Sequence, residues 1–149
     1  MNKEEELISK AKESDTIYIF PIRYNSNTNE CLFSEDSIEF YKYAREQNKK
    51  IQFIESNPDI IALHDASIWL PVLYLAETFL LPVVINLISN FIYDKIGKKD
   101  KTKQNINLKI KVKNKGKIKE LNYNGSVESF EKTFKDIDVN KLFNEDEDD

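Results

Sequence analysis

The chain of 149 residues has one cysteine, one histidine and three glycines. Each shortage removes a class of chemistry. A lone Cys31 excludes an intramolecular disulfide and any cysteine-based zinc site. One histidine and one cysteine far apart in sequence do not make a typical transition-metal site. Glycine stands only at positions 97, 116 and 125, so neither a phosphate-cradling P-loop nor a dinucleotide fingerprint is present. The acidic run 145–149 lacks the glycine and the alternating oxygen ligands of a calcium loop. No metal and no cofactor is expected.

His64 lies beside Asp65 and near Ser67, which supplies a base, an acid and a hydroxyl in name. Sequence neighbours rarely adopt triad geometry, which is normally assembled from distant segments. The simpler reading makes Asp65 or Ser67 a helix cap and His64 an ordinary loop residue. No catalytic residue is assigned, and the chain is read as a non-enzyme. An active site scattered over carboxylates, tyrosines and His64 ranks last among the alternatives.

What the chain does contain is segregated charge and one apolar block. Hydrophobic residues make up 40% and charged residues 32%, with a net charge of −4. That balance describes one soluble domain, expected over residues 1–143, with a disordered acidic tail at 144–149. The N-terminal segment MNKEEELISKAKES has no apolar core of the kind a signal peptide needs. With a free thiol, a cytoplasmic location is expected.

Residues 1–66 read as a βαβ-like part. A short amphipathic helix over 3–12 precedes a β-branched and aromatic strand, TIYIFPI, at 16–22. A polar loop at 25–29 and a brief strand at 31–33 follow. A helix then runs from a cap at Ser34 or Asp36 to about Asn48, and a second strand covers 51–54. Pro58 breaks the chain, and 59–64 is left as a helical turn or a loop.

Residues 67–97 are the apolar block, IWLPVLYLAETFLLPVVINLISNFIY over 68–93. Pro71 suits a first helical turn, whereas Pro82 inside one continuous helix would remove a hydrogen bond and crowd residue 78. Two helices breaking near Leu81 are therefore expected, the second running from Pro82 to about Gly97. On such helices Tyr74, Glu77 and Thr78 share one stripe, and Asn86, Ser89, Asn90 and Tyr93 share another. Tyr74, Glu77, Asn86 and Asn90 are the candidate interaction residues.

A membrane reading competes with this one. About fifteen apolar residues at roughly −0.5 kcal/mol each are offset by Glu at about +2.5 to +3.5 and by the prolines and asparagines, so one span sums to near zero. The alternative is a membrane-anchored protein with 68–93 as its transmembrane segment, located in the inner membrane. Glu77 would then face a bundle interior.

Residues 105–143 read as a ββα part. From Asn105 to Lys113 alternation is strict, with Ile106, Leu108, Ile110 and Val112 on one face and Asn107, Lys109, Lys111 and Lys113 on the other. A turn at 114–116 leads to a second strand, 117–123, whose phase needs a bulge to place Ile118 with Leu121 and Tyr123. Ser126 caps a helix over 127–137, with Phe130 and Phe134 on one face. Lys109, Lys111 and Lys113 are candidate anion-binding residues. They suit a phosphate backbone or anionic lipid in principle, but a solvated lysine face also guards a sheet against edge pairing. Lysine-dependent nucleic-acid binding is a second alternative.

Residues 82–138 combine an apolar helix, a lysine-rich joint and a strand–turn–strand–helix, INLKIKVKNKGKIKELNYNGSVESFEKTFKDI. This pattern resembles the C-terminal part of small bacterial effector-associated components, accessory proteins encoded beside effector domains in conflict and defence operons. The resemblance implies an adaptor role and carries over no catalytic residue. The whole is expected to be an α+β fold: a βαβ-like half, a central apolar helical hairpin and a ββα unit. Its expected function is non-enzymatic association, as a homo-oligomer or with a protein partner, through the apolar helices.

Overall fold

A computed structural model describes residues 2–25, 30–55, 58–61 and 67–135. In chain order the elements are α1 (Lys3–Lys10), β1 (Ile17–Phe20), β2 (Arg23–Asn25), β3 (Glu30–Ser34), α2 (Asp36–Glu46), β4 (Ile51–Phe53), β5 (Asp59–Ile61), β6 (Ile68–Leu75), α3 (Leu80–Ile96), β7 (Asn105–Asn114), β8 (Lys117–Ser126) and α4 (Val127–Lys135). The class is α+β, as expected. A five-stranded sheet has the order β4–β1–β6–β7–β8, and a three-stranded sheet has the order β2–β3–β5.

The large sheet is mixed. β1 pairs parallel with β4, which makes the expected strand–helix–strand unit, and antiparallel with β6. β6 pairs parallel with β7 across the α3 crossover, and β7 pairs antiparallel with β8. Register places two apolar rows on one face: Phe53, Ile19, Leu73, Ile110 and Leu121 in one, and Ile51, Ile17, Leu75 and Val112 in the next. α2, α3 and α4 stand side by side over this face. Phe40 of α2 meets Phe91 of α3 edge-on at 5.3 Å, and Phe130 of α4 meets Tyr123 of β8 at 5.4 Å. The opposite face carries Tyr18, Tyr74 and Lys111 in one row, and Phe20, Val72 and Lys109 in the next. α1 covers the first row: Tyr18 Oη accepts from the Glu13 N–H at 2.8 Å, and Lys111 Nζ reaches Glu4 at 2.6 Å.

The expected helical hairpin is corrected in its first arm. Residues 68–75 form strand β6, at the centre of the large sheet, and only the second arm is a helix. Every residue of β6 except Trp69 is buried, as for a strand covered on both faces, which reads as a continuous apolar run without period. Pro71 is tolerated there because the register to β7 shifts between Trp69 and Val72. This bulge leaves Pro71 outside the ladder, and β1 begins to pair only at Val72, so the missing N–H costs no bond. Pro82 is the third residue of α3, among the four N-terminal positions whose N–H has no intrahelical partner. Gly97 ends α3 at φ 59°, with its N–H bonded to the Tyr93 carbonyl.

Three smaller expectations also change. Residues 59–61 form β5 beside β3, not a helical turn or loop. β2 at Arg23–Asn25 extends the small sheet where a loop was expected to begin. β7 and β8 pair without a bulge from Asn105–Ser126 to Asn114–Lys117, so Ile118 stays opposite Lys113 on the lysine face, 36% exposed. The Ser126 cap is present, with Oγ accepting from the Ser129 N–H at 3.1 Å. His64, Asp65, the 26–29 part of the polar loop and the acidic tail lie outside the described residues.

These packing relations set a contrast for stability. Ile110 is fully buried beneath the helix layer, while Ile118 is partly exposed on the other face. Ile110→Ala should cost about 2–5 kcal/mol in urea unfolding. Ile118→Ala should stay within about 0.5 kcal/mol. Equal losses at the two positions would contradict the observed register.

Candidate functional site

α3 presents a narrow outer stripe. Leu81, Val84, Ile85, Ile88, Phe91, Ile92 and Ile96 point into the core, and the opposite line is Phe79, Val83, Asn86, Asn90 and Tyr93. Phe79 is 61% exposed and Tyr93 is 64% exposed. No charged side chain occurs from Leu80 to Tyr93, in a chain where a third of residues are charged. Asn86 and Asn90, both expected on an interaction stripe, therefore lie together on a free surface. With Val83 and Leu87 they face Tyr43, Gln47 and Lys49, at the end of α2, across a shallow cavity of about 230 Å³.

The separate helical stripe expected for Tyr74, Glu77 and Thr78 does not form, because residues 68–75 are a strand. Tyr74 lies in the central strand, 1% exposed and stacked on Phe20 at 5.1 Å. A helical period was applied where the true period is two, so its neighbours were misassigned. Glu77 is exposed in the turn after β6. Tyr74, Glu77 and Lys113 instead line one cavity of about 370 Å³ beside α1, with Ile8, Ala11 and Lys12. Two sets of residues expected to act apart thus meet at one place.

The lysine row is interrupted at its centre. Lys109 and Lys113 are exposed on the expected face. Lys111 between them is 7% exposed and held by Glu4 at 2.6 Å and Glu120 at 3.8 Å. Its charge is spent inside the fold. An unbroken cationic track along this strand face is absent among the described residues.

Sequence reasoning read Asp36 only as a helix cap and missed its tertiary role. The residue opens α2 and is 7% exposed. One carboxylate oxygen accepts the Trp69 backbone N–H at 2.9 Å, and the other pairs with Lys95 at 2.9 Å. Lys95 also reaches Glu39 at 2.6 Å. Burial pulls the Lys95 ammonium down, but hydrogen bonds and charge from Glu39 and Asp36 outweigh it, so it titrates above the ordinary lysine value. An acidic residue at a helix start signals a cap, and here the carboxylate serves another strand instead. Cys31 is buried, and desolvation raises its thiol pKa, so it carries little thiolate at neutral pH.

No helix among the described residues is long and apolar enough to cross a membrane. The block 68–93 is divided between β6 and a helix of 17 residues. No protein-family model, curated protein or solved structure significantly matches the chain.

The Asp36 contacts yield a pH test. Asp36→Ala removes both bonds and should lower stability by about 2–4 kcal/mol. Asp36→Asn keeps an acceptor for the Trp69 N–H and should lose less. Because the folded Lys95 value lies above the ordinary 10.5, its contribution is complete below that pH and is lost as pH rises through the folded value. The wild-type advantage over Asp36→Ala in denaturant melts should stay flat to about pH 10 and narrow above it. A gap that closes already near neutral pH would refute this account.

Proposed function

We propose that this chain is a non-enzymatic interaction or adaptor protein that pairs with a second copy of itself through the outer stripe of α3. The observation that supports the reading is the stripe's composition. Phe79 and Tyr93 stand exposed at its two ends, asparagine occupies its middle, and no charge lies between them. Large exposed aromatics on an uncharged helix face are the usual mark of an association surface.

Its spacing suits a two-fold pair. Asn86 is midway between Phe79 and Tyr93, so an antiparallel copy sets Asn86 against Asn86, Val83 near Asn90, and Phe79 against Tyr93. A carboxamide both donates and accepts, so it complements itself across such an axis. Each Phe–Tyr contact adds roughly 0.5–1.5 kcal/mol beyond the area it buries. Lys101 lies 5.5 Å from the Tyr93 ring centre and supports the ring from the side.

An accessory role in a bacterial defence or conflict system belongs to the same proposal and rests on the resemblance of residues 82–138. So does a cytoplasmic setting, which a single free, buried thiol suits. Lysine-dependent binding along a nucleic-acid backbone finds less support, because Lys111 is neutralised by Glu4 and Glu120.

Sedimentation equilibrium tests the pairing. The wild-type chain should show a concentration-dependent dimer. Asn86→Arg and Tyr93→Glu should each raise the dissociation constant at least tenfold, while leaving the circular dichroism spectrum unchanged. A wild-type chain that remains monomeric at the highest attainable concentration would sink the proposal, as would dimerisation indifferent to both substitutions.

A further inference from the structure

On the side of the large sheet away from α3 there is a groove that the pairing surface does not use. Its volume is about 380 Å³, within the roughly 300–1,000 Å³ of small-ligand sites. Trp69, Val72 and Ile22 are among its apolar lining residues, and Asn107, Lys109, Asn122 and Asn124 among its polar ones. Register explains how they converge. Trp69, Asn107 and Asn124 form one cross-strand row, and Val72, Lys109 and Asn122 form the next.

The bulge creates this site. In an unbroken strand Trp69 and Val72, three residues apart, would point to opposite faces. The extra residue between them restores the phase, so both stand on the face that carries Asn107 and Lys109. β1 stops pairing at Val72, so residues 68–71 of β6 have no β1 partner. Asp36 fixes the Trp69 backbone from beneath.

We propose that this groove binds one nucleotide unit, a nucleoside monophosphate, with the base against Trp69 and the phosphate on Lys109. Three chemical features select that class. An indole beside Val72 and Ile22 offers a flat apolar surface for a planar ring, and base–aromatic stacking is worth about 1–3 kcal/mol. Three carboxamides provide donors and acceptors together, which matches the mixed edge of a base. Lys109 makes no ion pair among the described residues, so its charge is available to an anion. No carboxylate among the described residues lines the groove. That counts against a neutral sugar, whose hydroxyls need strong acceptors, and against a cationic ligand. The size admits a single nucleotide, and the pairing of Lys111 with Glu4 closes the path by which a longer strand would continue along the lysines.

Trp69 is the chain's one tryptophan, so its fluorescence reports the groove directly. The test titrates the full-length protein with AMP, GMP, CMP and UMP, with inorganic phosphate and glucose as controls, and with an eight-nucleotide single-stranded RNA. At least one mononucleotide should quench the emission saturably, and phosphate and glucose should not. Lys109→Ala, at an exposed position without an ion pair among the described residues, should weaken that binding at least tenfold with an unchanged melting curve. Asn124→Asp should weaken it too, by removing a donor from the row that faces the base.

Absence of quenching by all four nucleotides would overturn the proposal. So would equal affinity in wild type and Lys109→Ala, or an equal response to phosphate alone. RNA binding more than tenfold tighter than every mononucleotide would replace the single-unit site with a strand-binding one. None of these readouts depends on dimerisation, because Asn86→Arg should leave quenching intact.

Discussion

The carboxylate of Asp36 is the constraint from which the arrangement of layers follows. It sits at the first residue of α2, faces the start of β6 through one oxygen and the last turn of α3 through the other. A carboxylate so little exposed is costly unless both oxygens are satisfied. Here they are, by a backbone N–H and by an ammonium that Glu39 also holds. The group therefore ties the start of α2 to β6 and to the end of α3, both contacts more than thirty residues further along the chain. Apolar packing alone permits α3 to roll over the sheet, since Leu, Ile and Val are interchangeable in a flat contact. A directional ion pair at residue 95 limits that roll, and so determines which line of α3 faces outward.

The same contact governs the bulge. Parallel pairing of β6 with β7 and antiparallel pairing with β1 leave little freedom for an extra residue in a central strand. The irregularity is confined to the end where β1 has stopped, and proline at that point removes a donor that would otherwise seek a partner. Asp36 supplies the acceptor for the last N–H before the break. Bulge, proline and buried acid form one device. Its effect is to turn an indole onto the face of the sheet that also carries three carboxamides and Lys109.

How far the sequence revealed this depends on where each side chain's partner lies. Strict alternation in β7 was legible because Ile106, Leu108, Ile110 and Val112 answer to a local period, and the structure buries all four. α3 was legible from its length and its glycine terminus. β6 was not, because a strand buried on both faces has no period to detect, and its apolar residues are equally at home in a buried helix. Pro71 was read as a helix start since proline is commonest there, when its role is to sit in a bulge that only the register shows. Lys111 looked identical to Lys109 and Lys113. Its difference comes from Glu4, more than a hundred residues earlier, and no local pattern carries that information. The stripe of Asn86, Ser89, Asn90 and Tyr93 lies on a helix as expected, whereas the stripe of Tyr74, Glu77 and Thr78 was counted on a helix that does not exist.

The two faces of the large sheet divide the surfaces between them. Helices α2, α3 and α4 cover one face, and the stripe from Phe79 to Tyr93 looks outward from that layer. The groove around Trp69 opens on the other face, beyond the end of α1. A pair formed through α3 would thus leave both grooves on its outside, accessible and independent of the interface. A physical route for coupling between them runs from Lys95 at the end of α3, through Asp36, to the Trp69 backbone. A ligand that shifted Trp69 would act on the acceptor that also holds α3 in place, so communication between groove and interface along this route should weaken when that carboxylate is removed.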